Sequence, residues 1–159
     1  MTETMTRWGI GPKFATFSLI AALIIAVVNY VYFPGLILKY SPPVFLSGII
    51  LFLIGAAIFL IATYQVHRAF SGGRLVTSGV YRYIRHPVYA VWIVFIAPGV
   101  FLVTGIVFLI IVPFIMYAIF RVLIVREEVY MEQKFGEQYS EYKTRVNAVI
   151  PKLISIKIF

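Results

Sequence analysis

The chain has 159 residues, of which 62% are apolar and only 13% are charged. Soluble domains usually contain about 45–50% apolar and about 25% charged residues, so this composition indicates that lipid surrounds much of the folded surface. The sequence contains no cysteine, which excludes disulfides, thiol nucleophiles and thiolate metal sites. The chain has only two histidines, and no carboxylate-rich cluster lies near them, so we predict no metal site.

The formal net charge of +8 could indicate a nucleic-acid partner. The basic residues instead flank the apolar runs, which is the pattern that orients helices in a bilayer. We therefore predict membrane lipids and no nucleic acid as partners. The first residues, MTETMTRWGIGPK, lack a small-residue cleavage site after a short apolar core, so we expect the first apolar run to stay as an anchor.

Three apolar runs follow one another along the chain. A membrane span needs about 20 apolar residues, and the run over residues 88–125 is too long for one span. Pro98, Gly99 and Gly105 permit a turn within it. We predict an all-α polytopic membrane helix bundle, a single domain of residues 1–159, whose last two helices form a hairpin. The predicted segments are spans at residues 14–33, 44–66, 88–103 and 105–125, and an amphipathic helical tail at 126–159.

Lysine and arginine are distributed very unevenly over the two faces of this predicted bundle. Of the 14 such residues, all but Lys39 fall on one face, including Arg7 and Lys157 near the two ends. The positive-inside rule then predicts that both termini and the loop between the second and third spans lie on the cytoplasmic side, in a prokaryotic inner membrane.

Small residues recur on the first span at Ser18, Ala22 and Ala26. Spaced four apart, they share one helix face and permit a close crossing with another helix in the membrane.

The loop after the second span ends in the run YRYIRHPVY at residues 81–89. Pro87 suits the first turn of a helix, where its missing N–H costs nothing. His86 would then lie at the N-cap, beside free backbone N–H groups and the positive end of the helix dipole. With Arg82 and Arg85 nearby, the pattern suits an anionic group, although basic residues alone are also typical of a cytoplasmic loop.

The last predicted span is followed directly by Glu127 and Glu128, two of only six acidic residues in the chain. A solvated charge pair would explain them, but on a helix Glu128 also heads an aromatic stripe. The other members of this stripe are Met131, Phe135, Tyr139 and Tyr142. A glutamate in this position suits a site that holds a cation, a ribose or both.

Phe135-Gly136 is the expected turn in the tail, since glycine commonly ends helices. Glu127 and Arg145 could line one small-molecule site only if the chain turns here. We also expect the tail to fold back against the ends of the spans, because its aromatic side chains would otherwise be exposed.

Three ordered blocks together resemble the isoprenylcysteine carboxyl methyltransferase family, and the Glu-Glu block is also similar to phospholipid N-methyltransferases. The blocks are YRYIRHPVY at 81–89, REE at 126–128 and FGEQYSEYKTRV at 135–146, with Ile150-Pro151 behind them. They extend over about half of the chain. The chain departs from the family pattern at Val91, where glycine is usual, and at Val80, where proline is frequent.

The resemblance implies S-adenosylmethionine as methyl donor, bound at the cytoplasmic end of the last helices, and a lipophilic or prenylated acceptor that enters from the bilayer. The donor-binding positions that it implies are Arg85, His86, Pro87, Tyr89, Glu128, Tyr139 and Tyr142. Arg145 would help to close the site from the tail. Since Glu127 lies about 100° from the aromatic stripe, we expect Glu128→Gln to weaken donor binding more than Glu127→Gln.

The sequence leaves the chemistry of the acceptor open. A carboxylate is ionised at neutral pH and needs a cation to hold it, for which Arg145, by a two-pronged contact, and Arg82 are the candidates. An amine must lose a proton, and Glu127 or Glu128 would be the candidate base. A prenylated protein and a small isoprenoid or lipid acid fit equally well as acceptors.

Two other functions remain as alternatives. Membrane sterol reductases carry a similar Arg-His-Pro-x-Tyr block and use NADPH, although they do not usually combine it with a tail like this one. The second alternative is a non-catalytic membrane protein of the same fold, which the departure at Val91 favours.

Overall fold

The computed structural model describes residues 9–152, and this part of the chain is almost entirely helical. Its helices are, in chain order, α1 (Gly11–Tyr32), α2 (Pro42–Ser71), α3 (Pro87–Thr104), α4 (Val107–Phe135) and α5 (Glu137–Arg145). The first four are long and apolar enough to cross a membrane, so the predicted all-α bundle of four spans is confirmed. Arg7 and Lys157, which entered the prediction of orientation, lie outside the described residues.

Helices α2 and α4 extend further than the sequence predicted. Helix α2 reaches Ser71 rather than residue 66, and α4 reaches Phe135 rather than residue 125. The predicted bounds at residues 66 and 125 mark the ends of the apolar runs, and both helices continue beyond them. The residues after the apolar run are mostly good helix formers, and α4 ends only at Gly136, whose φ of +52° suits glycine. Glu127 and Glu128 consequently lie on α4 itself.

The hairpin between α3 and α4 turns at Gly105, within the predicted stretch. Gly105 has a φ of +68°, which glycine adopts without steric cost, and its carbonyl oxygen accepts the Leu38 N–H at 2.8 Å. Pro98 lies inside α3 instead of in the turn. A wider π-helical segment, Trp92–Ile96, precedes this proline, which cannot donate a backbone hydrogen bond.

Small residues bring the helices close together. A Cβ atom on Gly48 of α2 would lie 2.9 Å from the carbonyl oxygen of Gly99 on α3, so these two helices cross at backbone contact. On α1 the predicted small-residue face is also packed: Ser18 is buried, and Ala22 and Ala26 lie against the main hydrophobic core.

Asn29 is a polar residue in the apolar bundle and is only 1% exposed. Its Nδ2 donates to the carbonyl oxygens of Phe33 and Leu36, and its Oδ1 accepts the N–H of Phe108, all at 3.3 Å. One side chain thus satisfies backbone groups at the end of α1 and at the start of α4. This matters in a membrane, where no water is present to pair with such groups.

We expect Asn29→Leu to destabilise the protein in detergent, because a buried backbone group that loses its partner costs about 1–3 kcal/mol. The thermal unfolding midpoint, followed by intrinsic fluorescence, should fall clearly. Tyr30→Leu is the matched control, because Tyr30 is the next residue on α1 and is 76% exposed. An unchanged midpoint for Asn29→Leu would show that its three hydrogen bonds do not hold this end of the bundle together.

Candidate functional site

Four parts of the chain meet at the end of the bundle away from Asn29: the start of α1, the start of α3, the end of α4, and α5 with the residues after it. The segment before α3 is paired with the chain beyond α5. The N–H groups of Arg85 and His86 donate to the carbonyl oxygens of Asn147 and Ala148 at 2.8 and 3.0 Å. The tail therefore folds back against the ends of the spans, as the sequence predicted.

Helix α3 begins at Pro87 with His86 as its N-cap residue, again as predicted. Proline suits this position because the first N–H groups of a helix have no partner within it. The His86 carbonyl oxygen accepts the Ala90 N–H at 3.0 Å, which starts the helix. The His86 imidazole is buried and lies between the two carboxylates of α4.

Glu127 connects three of the four parts. Its Oε2 accepts hydrogen bonds from the Tyr89 hydroxyl at 2.8 Å and from the Ile10 N–H at 3.1 Å. Its Oε1 lies 3.6 Å from His86 Nδ1. The carboxylate therefore fixes the start of α1 and the first turn of α3 against α4.

Glu128 is surrounded by cations. Arg85 Nη1 lies 2.9 Å from its Oε1, Lys143 Nζ lies 2.9 Å from its Oε2, and His86 Nε2 is 3.4 Å from Oε1. Lys143 also contacts Glu132 at 2.9 Å. Lys143 comes from α5, so these ion pairs attach the tail helix to α4.

The two glutamates change the titration of their basic neighbours. Burial favours the neutral imidazole, but hydrogen bonding and charge from Glu127 and Glu128 outweigh it, and the pKa of His86 is raised above its ordinary value of 6.5. Hydrogen bonds from Glu128 and Glu132 raise the pKa of Lys143. Both groups therefore favour their charged forms beside the carboxylates.

Three tyrosines pack α5 against the rest of the site. Tyr139 is 1% exposed and Tyr142 is buried beside it. The Tyr142 hydroxyl donates to the carbonyl oxygen of Tyr81, and the Tyr81 hydroxyl donates to the carbonyl oxygen of Ala62 at 3.3 Å. Burial raises the pKa of all three phenols, so they act as neutral hydrogen-bonding groups.

A cavity of about 340 Å³ lies among these elements, within the range usual for small-molecule sites. Its wall is largely apolar, with aromatic residues from α1, α2, α3 and α4. These aromatic residues include Phe14, Phe59, Phe70, Trp92, Tyr130 and Phe135. In the described part of the chain, Glu127 is the one acidic residue of the wall, whereas Arg74, Arg85 and Lys134 are basic. The cavity can therefore hold an apolar ligand that carries polar or charged groups.

The structure brings most of the predicted site residues together. The cavity wall contains Arg85, His86, Tyr89, Glu127, Tyr139 and Tyr142, and Pro87 is buried at the start of α3. Glu128, which the sequence ranked above Glu127 for donor binding, lies behind the wall in its ion-pair network. The other four members of the aromatic stripe line the cavity as expected, but the packing of α4 turns Glu127, and not Glu128, towards it.

Arg82 and Arg145, the two predicted carboxylate holders, are exposed and do not belong to the wall. Arg145 is the last residue of α5, and its side chain, 71% exposed, turns back to Glu141 of the same helix at 3.4 Å. The expected turn that separates Arg145 from Glu127 is present, but it does not bring the two side chains to one site.

The sequence reasoning missed Lys143, Lys134 and Arg74. Lys143 directly follows Tyr142, so its position inside the block at residues 135–146 was the signal available in the sequence. Lys134 and Arg74 were counted only for the orientation of the bundle.

The two departures from the family pattern have simple packing explanations. Val91 is 2% exposed and is not part of the cavity wall, so its side chain does not narrow the cavity. The N–H of Val80, which a proline would lack, donates to Gln65 Oε1 at 3.3 Å.

Comparison with known proteins gives a consistent family. A sequence model of the isoprenylcysteine carboxyl methyltransferase family matches residues 48–133. The chain is 27% identical over 135 residues to the protein-S-isoprenylcysteine O-methyltransferase of Schizosaccharomyces pombe, which covers 79% of this chain and 57% of that protein. It is 29% identical over 143 residues to the protein-S-isoprenylcysteine O-methyltransferase B of Arabidopsis thaliana, with 82% and 72% covered.

A solved structure has the same fold. It is a eukaryotic intramembrane Ras methyltransferase, an isoprenylcysteine carboxyl methyltransferase, and it aligns with a TM-score of 0.68 and 23% sequence identity. The alignment covers 89% of this chain and 53% of that one. The chain thus spans little more than half the length of this protein and of the Schizosaccharomyces pombe relative.

We expect the stability of the ligand-free protein to depend on pH through His86. Because its pKa is raised on folding, the folded state binds this proton more tightly than the unfolded chain does. The resulting stabilisation is complete below about pH 6.5 and is lost as pH rises through the raised pKa. As the pH rises through this range, the thermal unfolding midpoint of the parent should fall, whereas the midpoint of His86→Gln should change less.

His86→Asn, which also removes the imidazole, is the second variant for this experiment. It should show the same flatter profile as His86→Gln. Identical pH profiles for His86→Gln and the parent would contradict the assignment of the proton to the His86 ion pairs.

Proposed function

The chain belongs to the isoprenylcysteine carboxyl methyltransferase family, and we propose that it transfers a methyl group from S-adenosylmethionine to the carboxylate of an isoprenoid or isoprenylcysteine-type acceptor. The observation that carries the proposal is the apolar cavity whose wall contains Glu127, His86 and Arg85 together. The relatives named as protein-S-isoprenylcysteine O-methyltransferases support the same reaction.

The residues around the cavity fit the methyl donor. S-adenosylmethionine carries two cationic groups, ribose hydroxyls and a carboxylate. Glu127 offers a carboxylate to a cation or to a ribose. The buried Tyr139 hydroxyl and Arg85 Nε make no hydrogen bond of good geometry within the described residues, so a ligand would satisfy them. His86, Tyr89 and Tyr142 complete the donor-binding set that we propose.

When bound, S-adenosylmethionine would supply an electrophilic methyl group on a sulfonium whose sulfur leaves as a neutral thioether. Transfer to the acceptor carboxylate would form a C–O bond as the C–S bond breaks and give a methyl ester, and no proton would have to move. The protein's task is alignment and the exclusion of water, and alignment alone can contribute about 7–11 kcal/mol. Glu127 is then a binding group; it would act as a base only for an amine acceptor.

The reaction takes place at the cytoplasmic surface of the membrane in this proposal. The excess of lysine and arginine at the site end of the bundle supports that orientation, with both termini cytoplasmic. The four spans expose apolar surface, so a lipophilic acceptor would reach the protein from the bilayer.

The first test measures methyl transfer and ligand binding by detergent-purified protein. We expect labelled methyl from S-adenosylmethionine to appear as an ester on N-acetyl-S-farnesylcysteine. Binding of NADPH without binding of S-adenosylmethionine would favour the reductase alternative. Binding of neither would favour a non-catalytic role.

A second test separates the two glutamates. We expect Glu127→Gln to weaken donor binding by about tenfold or more, the loss typical of a charged hydrogen-bonding partner, with a modest change in stability because the amide oxygen can still accept from Tyr89 and Ile10. Glu128→Gln should instead lower the thermal midpoint, because it leaves the Arg85 guanidinium, 9% exposed, with less counter-charge.

Calorimetric titration of S-adenosylmethionine and a thermal scan on each variant provide the two readouts. Glu137→Gln, an exposed residue in the first turn of α5, is the control for loss of one negative charge. A larger loss of donor affinity in Glu128→Gln than in Glu127→Gln would restore the ranking expected from the sequence and reject this one.

A further inference from the structure

The cavity has more positive than negative charge in its wall, and two of its cations have no carboxylate partner. Arg85 is paired with Glu128 at 2.9 Å. Arg74 and Lys134 also line the cavity, but within residues 9–152 no acidic side chain lies within ion-pair distance of either. A pocket with unpaired cations beside an apolar wall favours a ligand that is both lipophilic and anionic.

Lys134 is held by aromatic rings instead of by a carboxylate. Its Nζ lies 4.3 Å from the centroid of the Phe70 ring, and the rings of Phe135 and Tyr130 are 5.4 and 5.7 Å away. Ring faces attract a cation, and because Lys134 is exposed, its N–H donors remain available to an anionic ligand. Lys134 is therefore positioned in the wall and still able to bind an anion.

The contact between Lys134 and Phe70 also joins the ends of two helices. Phe70 belongs to the last turn of α2 and Lys134 to the last turn of α4. Arg74 follows Phe70 by four residues, directly after the turn at Gly72 and Gly73. Arg74 thus comes from the segment that directly follows the Lys134–Phe70 contact, whereas Glu127 is bonded to the starts of α1 and α3.

We propose that Lys134 binds the carboxylate of the acceptor, with Arg74 as the second cation, and so makes the site selective for acids over uncharged acceptors. This inference rests on the proposed methyl transfer and assigns its anion-holding residue. Lys134 would hold one oxygen of the acceptor carboxylate and leave the other free to meet the methyl group of the donor, whose cationic groups Glu127 attracts. Lys134 replaces Arg145 and Arg82 in this role.

The experiment compares an acid with its uncharged analogue. N-acetyl-S-farnesylcysteine and its carboxamide share the same isoprenoid chain, so their affinities differ only through the charged group. Both are titrated into detergent-purified parent protein, Lys134→Gln, Lys134→Arg and Lys39→Gln. Lys39 lies in the connection between α1 and α2, away from the cavity, and controls for the loss of one positive charge.

We expect Lys134→Gln to weaken binding of the acid by about tenfold or more while leaving the affinities for the carboxamide and for S-adenosylmethionine within about twofold of the parent. Lys134→Arg keeps the charge and the ring contacts and should retain most of the acid's affinity. Lys39→Gln should match the parent with both ligands.

Equal losses for the acid and the carboxamide would mean that Lys134 only packs the cavity, and this result would overturn the proposal. An unchanged affinity for the acid would overturn it as well. If the parent transfers no methyl group to any acid, the proposed function fails. A Lys134-dependent preference for the acid over the carboxamide would still establish the anion site in that case.

Discussion

The carboxylate of Glu127 is the contact on which the arrangement of the site depends. It accepts the Ile10 N–H from the start of α1 and the Tyr89 hydroxyl from the first turn of α3, and it faces the His86 imidazole. An uncompensated carboxylate in such a buried position would be very costly. The charge is stable only because these elements converge on it, and their convergence leaves the cavity beside it.

The carboxylate of Glu128 has a different role from that of Glu127. Its oxygens are taken up by Arg85, His86 and Lys143, so it neutralises the cations that surround the starts of α3 and α5. This pairing leaves Arg74 and Lys134 as the unpaired cations of the wall within the described chain. Glu128 therefore neutralises the cations around the cavity, whereas Glu127 and the two unpaired cations leave the cavity wall charged.

Much of this arrangement could be predicted from the sequence, and the predictions that failed did so for identifiable reasons. The Arg-His-Pro block and Gly136 could be placed from the sequence because proline and glycine have strong local preferences. The Glu-Glu pair stood out because the chain has only six acidic residues. The choice between Glu127 and Glu128 depends on how α4 is rotated against its neighbours, which no local pattern specifies. Lys134 was missed because its partners are ring faces, and Phe70 is 64 positions away in the sequence.

The two ends of the bundle are held by different forces. At the Asn29 end, one amide and the Leu38–Gly105 pair satisfy backbone groups inside apolar surroundings, and salt or pH does not alter such contacts. At the site end, α5 is attached through Lys143, which is 38% exposed and bridges Glu128 and Glu132. Exposed ion pairs are weak and screened by salt. Salt therefore weakens only the ion-paired part of this attachment, because the buried Tyr139 and Tyr142 also pack α5 against the site.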